Sequence, residues 1–170
     1  SAEIATNAAA AMAESDIIYL ACPPVPRHEL ALAAARAGKA VFLEKPLGID
    51  LAASANLVES LQDVGVPAAV NFTQAAGAAL ANISDAADNG TLGEIIGIDI
   101  IVTYETWPRE WQKEADWLRF RAEGGMTREV LSHFLFFSER LLGPLKMVFA
   151  HPSYPDDVSL CETHLLARLE

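Results

Sequence analysis

The stretch IIYLACPPVPRHELALAAARAGKAVFLEKP, residues 17–46, decides the fold. Ile17 to Ala21 is a short apolar run without alternation, stopped by Pro23 and Pro24, which cannot continue a ladder. An Ala-rich segment follows, with Pro26 near its first turn and Gly38 as its stop, which predicts a helix. Val41-Phe42-Leu43 is a second apolar run, ending on Glu44 and Lys45 and halted by Pro46. Working outward, GIDLAASANLVESLQDVG predicts another helix, with Asp50 as N-cap and Gly65 as terminator, and VPAAVNF a third strand. Strands without alternation, separated by helices, predict βαβ units and a parallel sheet buried on both faces.

Beyond Phe72 the pattern changes. AGAALANISDAADNG predicts a helix closing on Asn89-Gly90. IIGIDIIVTYE has period two, with Ile96, Ile98, Ile100, Val102 and Tyr104 on one side, which predicts a half-covered strand of an antiparallel sheet. An irregular Trp-rich connection leads to a helix over MTREVLSHFLFFSERLLG, and strand-like runs follow at 145–150 and 160–169. The order predicts two units, parallel α/β over 1–72 and α+β over 73–170. The first sixteen residues, rich in Ala, predict a helix and carry no basic flank of the kind that opens a secretory signal.

Composition narrows the function classes. The chain has 170 residues, 52% of them hydrophobic, and a formal charge of -11. That acidity argues against nucleic acid or an anionic membrane as partner. Every hydrophobic run is too short to cross a bilayer. Cys22 and Cys161 lie far apart with no Cys/His ladder, so no disulfide framework or structural zinc site is readable, and a reducing cytoplasm is the expected location.

Two places carry candidate chemistry. Lys45 ends a strand, and open α/β sheets bind ligands at the carboxyl ends of their strands. A lysine there can hydrogen-bond a substrate oxygen and exchange its proton; the bland alternative is a surface lysine beside an acid. Glu129 and His133 are four residues apart on a predicted helix and share a face, so the carboxylate can orient the imidazole as an acid/base. The alternative is an ordinary helix pair, and a single Glu and His do not complete a metal site. Gly124-Gly125, just before that helix, would let backbone approach a ligand closely.

Taken together, the segments resemble a family. LACPPVPRHELALAAARAGKAVFLEKPLGID is similar to the hallmark region of the Gfo/Idh/MocA oxidoreductases, NGTLGEIIGIDI to their entry into the second domain, and GGMTREVLSHFLFFSERLLGP to their Gly-Gly helix bearing an acid and, four residues on, a His. The resemblance implies a partial Rossmann-type sheet followed by an α+β domain with a mainly antiparallel open sheet. It also implies hydride transfer between NAD or NADP and a sugar, polyol or related hydroxy compound. Lys45 would bind the reacting hydroxyl, His133 would take its proton, and Glu129 stands where the family usually has Asp. Cys22, Pro23, Pro24, His28, Glu44, Lys45 and Pro46 would form the cofactor wall. Asn71, Trp107, Arg109 and Trp111 would contact substrate, although the tryptophans, with Trp117, would equally serve to pack their loop. A homo-oligomer is implied as well.

The sequence departs from the family in three places. The glycine-rich turn G-x-G-x-x-G is absent, and LLARLE ends where relatives have further strands, so a part of a longer protein is expected. After the third strand, Gln74 and Ala75 stand where relatives often carry Arg, which argues against a strongly acidic substrate at that point. An NAD-dependent glycosidase of the same fold and a non-catalytic dimerisation module remain as alternatives.

Overall fold

The computed structural model describes residues 3–170, which divide into two compact units, 3–71 and Phe72–Glu170.

The first unit is a three-stranded parallel sheet in the order β1-β2-β3, with β1 at Ile17–Leu20, β2 at Ala40–Glu44 and β3 at Ala68–Asn71. Leu20 lies opposite Leu43, and Glu44 opposite Asn71, so all three strands end at one edge. Helix α1 (Ala8–Ala13) precedes β1, α2 (Pro24–Arg36) joins β1 to β2, and α3 (Leu51–Val64) joins β2 to β3. Local chemistry fixes the helix ends. Pro24 opens α2, where its missing N–H costs nothing. The Asp50 side chain accepts the Ala53 N–H at 2.7 Å, and Gly65 closes α3 in the left-handed conformation at φ 76°.

Ala31, Ala34 and Ala35 are fully buried and let α2 lie close on the sheet. They pack with Leu20, Val41, Leu43, Leu57 and Leu61, and Met12 of α1 joins the same cluster. Each fully buried leucine contributes about 1.5–3 kcal/mol. The expected burial of both sheet faces is corrected here. Ile17, Tyr19 and Phe42, on the opposite face, are 65%, 51% and 37% exposed. Right-handed crossovers place α2 and α3 on the same side. With Met12 there too, an apolar run in β1 and β2 is covered on one side alone.

In the second unit the helix predicted over 76–90 forms as α5 (Ala78–Asp88), ending at Asn89, and a short helix that was not anticipated, α4 (Thr73–Ala76), precedes it. Both pack on α6 (Ser132–Leu142), and Phe72 stacks on Phe136 with centroids 4.3 Å apart. Strands β4 (Met147–Ser153) and β5 (His164–Leu169) form an antiparallel pair with an irregularity at Met147/Phe149. The strand predicted over 95–105 is not formed. Ile100, Val102 and Tyr104 are half-buried and alternate with exposed Ile101, Thr103 and Glu105, while Ile96 and Ile98 are exposed. Alternation shows which side is drier, but a strand also needs a ladder partner, and none of the described residues pairs with this segment.

Candidate functional site

At the carboxyl edge of the parallel sheet, the turn after β1 carries Cys22 and Pro23, and the turn after β2 carries Lys45 and Pro46. The Lys45–Pro46 peptide is cis, and Lys45 is buried. The group that joins these turns is one the sequence reading passed over, Arg27 on α2. The residue is 2% exposed. Nε donates to the Cys22 carbonyl at 3.1 Å, Nη2 donates to the same oxygen, and Nη1 donates to the carbonyls of Glu44 and Pro46. The two carbonyls held by Nη1 flank Lys45 in the chain. A charged residue one place before a candidate His, on a helix otherwise full of alanine, was the available signal. His28 itself is half-buried at the same end of α2.

Glu44 is held by neighbours on both sides. The Tyr19 hydroxyl donates to its Oε1, and Asn71 Nδ2 donates to the same oxygen at 2.7 Å. Asn71, expected to contact substrate, thus uses an amide N–H to hold Glu44 across the β2–β3 register. Burial pushes the Glu44 carboxyl upward, but the hydrogen bonds from Tyr19 and Asn71 and the Lys45 charge outweigh it and hold the group below its ordinary value. Conversely the Tyr19 phenol is raised, chiefly by its hydrogen bond to Glu44. A depressed acid contributes stability that is present above its unfolded value and lost as pH falls through the folded one. Tyr19→Phe removes one cause of the depression. The drop in urea midpoint between pH 7 and pH 4 is therefore expected to be smaller in this variant than in the wild type.

In the second unit the chemistry gathers around Glu129. Gln112 Nε2 donates to Glu129 Oε1 at 3.1 Å, and Arg109 Nη2 lies 3.9 Å from the same oxygen. Arg109 Nε donates to Gln112 Oε1 at 2.8 Å. The Arg109 guanidinium lies over the rings of Trp111, Tyr104 and Trp107 at 4.6, 5.1 and 5.8 Å. Trp107 also packs its loop, donating its indole N–H to the Leu118 carbonyl at 3.0 Å, whereas Trp111 is 74% exposed. Of the two uses foreseen for the tryptophans, packing of the loop is thus present at Trp107. Gln112, buried on a 3-10 turn at Glu110–Gln112, was not anticipated, because a glutamine in an irregular loop has no periodicity to mark it.

The regular helix predicted for Glu129 and His133 is corrected to a helix that opens with a π turn, Thr127–Leu131, ahead of α6. Ser132 supplies the local reason. Its hydroxyl donates to the Arg128 carbonyl at 2.6 Å, the oxygen that the Ser132 N–H would take in an α-helix, and that N–H reaches Thr127 instead. Such turns recur at functional sites. Glu129 lies within it, and His133 follows on the first turn of α6, half-buried, with the Phe72 ring edge-on at 6.0 Å. Gly124 and Gly125 let segments of the unit itself come close. A Cβ at Gly124 would lie 2.4 Å from the Leu118 carbonyl oxygen, and one at Gly125 would meet the Glu162 carboxylate. Glu162 in turn accepts the Thr127 N–H at 2.7 Å and caps the π turn. The glycines serve close packing within the unit.

Among the described residues no three His, Cys, Asp or Glu side chains gather as a metal site, and no helix is long and apolar enough to cross a membrane.

Residues 1–72 match the model of an oxidoreductase family, Gfo/Idh/MocA, described as an NAD-binding Rossmann fold. No curated protein sequence matches the chain. Solved structures share the fold across nearly all of it. The WlbA dehydrogenase of Bordetella pertussis, in complex with NADH and UDP-GlcNAcA, superimposes at TM-score 0.82 with 24% identity, covering 96% of this chain and 52% of that one. An inositol dehydrogenase homologue of Azotobacter vinelandii with NAD+ gives 0.73 and 23%, covering 94% and 45%. KijD10, a 3-ketoreductase of Actinomadura kijaniata with TDP-benzene and NADP, gives 0.68 and 23%, covering 94% and 47%. The chain thus spans about half the length of these structures.

Proposed function

We propose that this chain, whose first 72 residues match the Gfo/Idh/MocA family model, transfers a hydride between NAD or NADP and a sugar, polyol or related hydroxy compound. The observation that carries the reading is the buried Lys45, set at the carboxyl edge of a parallel sheet between two carbonyls that Arg27 holds. The turns at Cys22, Pro23 and Pro24 and at Glu44, Lys45 and Pro46, with His28 nearby, suit the nicotinamide end of a dinucleotide. They offer a lysine and a fixed backbone rather than a phosphate cradle. When bound, the nicotinamide supplies or accepts the hydride. Lys45 binds the reacting oxygen, His133 takes the hydroxyl proton in oxidation or returns it in reduction, and Glu129 stands in the family's acid position. Asn71 and Trp107 support the walls, while Arg109 and Trp111 face substrate.

Residues 1–72 then serve as the C-terminal part of a dinucleotide-binding domain, and 73–170 as an incomplete substrate and oligomerisation domain. Exposed apolar side chains on β4 and β5, among them Met147, Val148 and Leu166, support a homo-oligomer. Two free cysteines, with Cys161 buried and its thiol raised chiefly by that burial, support a cytoplasmic location.

The test is to titrate the intact protein with NAD+ and NADP+ and to follow nicotinamide absorbance with myo-inositol, aldoses and a nucleotide-linked hexuronic acid. Net formation of reduced nicotinamide is expected. Glycosidic cleavage without net change in NAD(H) would turn the assignment to the glycosidase alternative. Failure to bind either cofactor would leave the non-catalytic one.

A further inference from the structure

The cluster around Glu129 contains one buried side chain to which the proposed chemistry gives no part. Gln112 is 6% exposed, and both ends of its amide are used. Its oxygen accepts from Arg109 Nε at 2.8 Å, and its nitrogen donates to Glu129 Oε1 at 3.1 Å. The two partners fix the amide's direction, because a guanidinium can only donate and an ionised carboxylate can only accept. Of the polar side chains of this length, glutamine alone satisfies both. Glutamate would set an acceptor against an acceptor, and lysine a donor against a donor.

Arg109 is itself restrained, since its guanidinium lies over three aromatic rings, of which Trp107 is tied to the Leu118 carbonyl. Orientation therefore passes from the aromatic loop through Arg109 and the Gln112 amide to a carboxylate on the π turn. That turn has a wider backbone than an α-helix, and Gln112 holds the Glu129 carboxylate on it from a separate segment, the 3-10 turn Glu110–Gln112. We propose that Gln112 is a positioning residue for Glu129, fixing the orientation of that carboxylate for the transfer of the substrate hydroxyl proton. The inference rests on the catalytic reading of Glu129 and His133 given above.

Two measurements test it in the intact protein. The first needs no substrate: in a 15N-labelled sample the Gln112 side-chain amide protons are followed by NMR in the wild type and in Glu129→Ala. A downfield, exchange-protected amide proton is expected in the wild type, and loss of that shift and protection in the variant. An unchanged signal overturns the proposal. The second is a double-mutant cycle on kcat and KM, with the polyol or sugar that gives turnover in the panel above. Gln112→Ala is expected to lower kcat about tenfold with little change in the KM for the nicotinamide, and to cost almost nothing more on a Glu129→Gln background. Gln112→Glu, close in volume, is expected to lose at least as much as Gln112→Ala, because two facing carboxylates repel.

Full additivity of the Gln112 and Glu129 losses, with His133→Ala still inactivating, overturns the positioning role alone. Wild-type turnover in Glu129→Gln and His133→Ala overturns the catalytic reading and this inference with it.

Discussion

In the intact protein, His133→Ala is expected to lower turnover by about two to four orders of magnitude, with cofactor affinity nearly unchanged. Imidazole is the side chain whose charge changes near neutrality without perturbation, so it can take a hydroxyl proton in one direction and return it in the other. Its placement suits that work. His133 begins α6 directly after the π turn, half-buried, and its ring meets the edge of Phe72, which is itself stacked on Phe136. These contacts restrict how the ring can turn. At 1.36 kcal/mol per decade the expected loss is about 3–5 kcal/mol of barrier. A stability change would not mimic it, because a half-buried imidazole on the first turn of a helix is not a core side chain. An unfolding free energy within about 1 kcal/mol of the wild type should accompany the loss. The limb of the kcat/KM pH profile that reports the imidazole should disappear with it. A fall of less than tenfold moves the proton transfer to another group, with Lys45 the next to replace.

The first unit was the more legible because its signals are local. Proline and glycine punctuate α2, β2 and α3, and Pro24, Asp50 and Gly65 act at the helix ends as their chemistry requires. What composition did not carry was the covering of the sheet. Ile17 and Phe42 read as core, but whether a second layer of helices covers that face is decided by topology and not by the apolar run itself. In the second unit the failures have other physical origins. Ile100, Val102 and Tyr104 keep their alternation without becoming a strand, since pairing is a property of two segments. The π turn hides in a pattern that suits an α-helix equally well, and the clue, a serine hydroxyl taking the Arg128 carbonyl, depends on a rotamer. Glu129 and His133 were read as a pair from their spacing, whereas Arg27 and Gln112, which hold other groups in place, were missed. Such residues are recognised by what they touch, and their partners are backbone carbonyls or side chains at distances the sequence does not order.

Arg27 carries the second large expectation. Arg27→Met keeps most of the aliphatic length and removes the guanidinium, and it is expected to destabilise the first unit by on the order of 3 kcal/mol or more, read as a lowered urea midpoint. The size follows from the acceptors. Carbonyls of Cys22, Glu44 and Pro46 belong to the backbone, so no side-chain replacement removes them, and a donor lost beside them leaves acceptors to be satisfied at a buried junction. This differs from a buried ion pair, where both partners can be exchanged for apolar groups at little cost. Arg27→Lys should fall between the wild type and Met, because one ammonium on a flexible stem cannot reproduce a planar fork that reaches both turns. Function should suffer beyond stability. The carbonyls released include those on either side of Lys45, so at temperatures where the Lys variant remains folded its kcat should fall more than its affinity for NAD(H). A Met variant with wild-type midpoint and wild-type kcat would mean that the turn after β2 holds its shape unaided and that the guanidinium is packing alone.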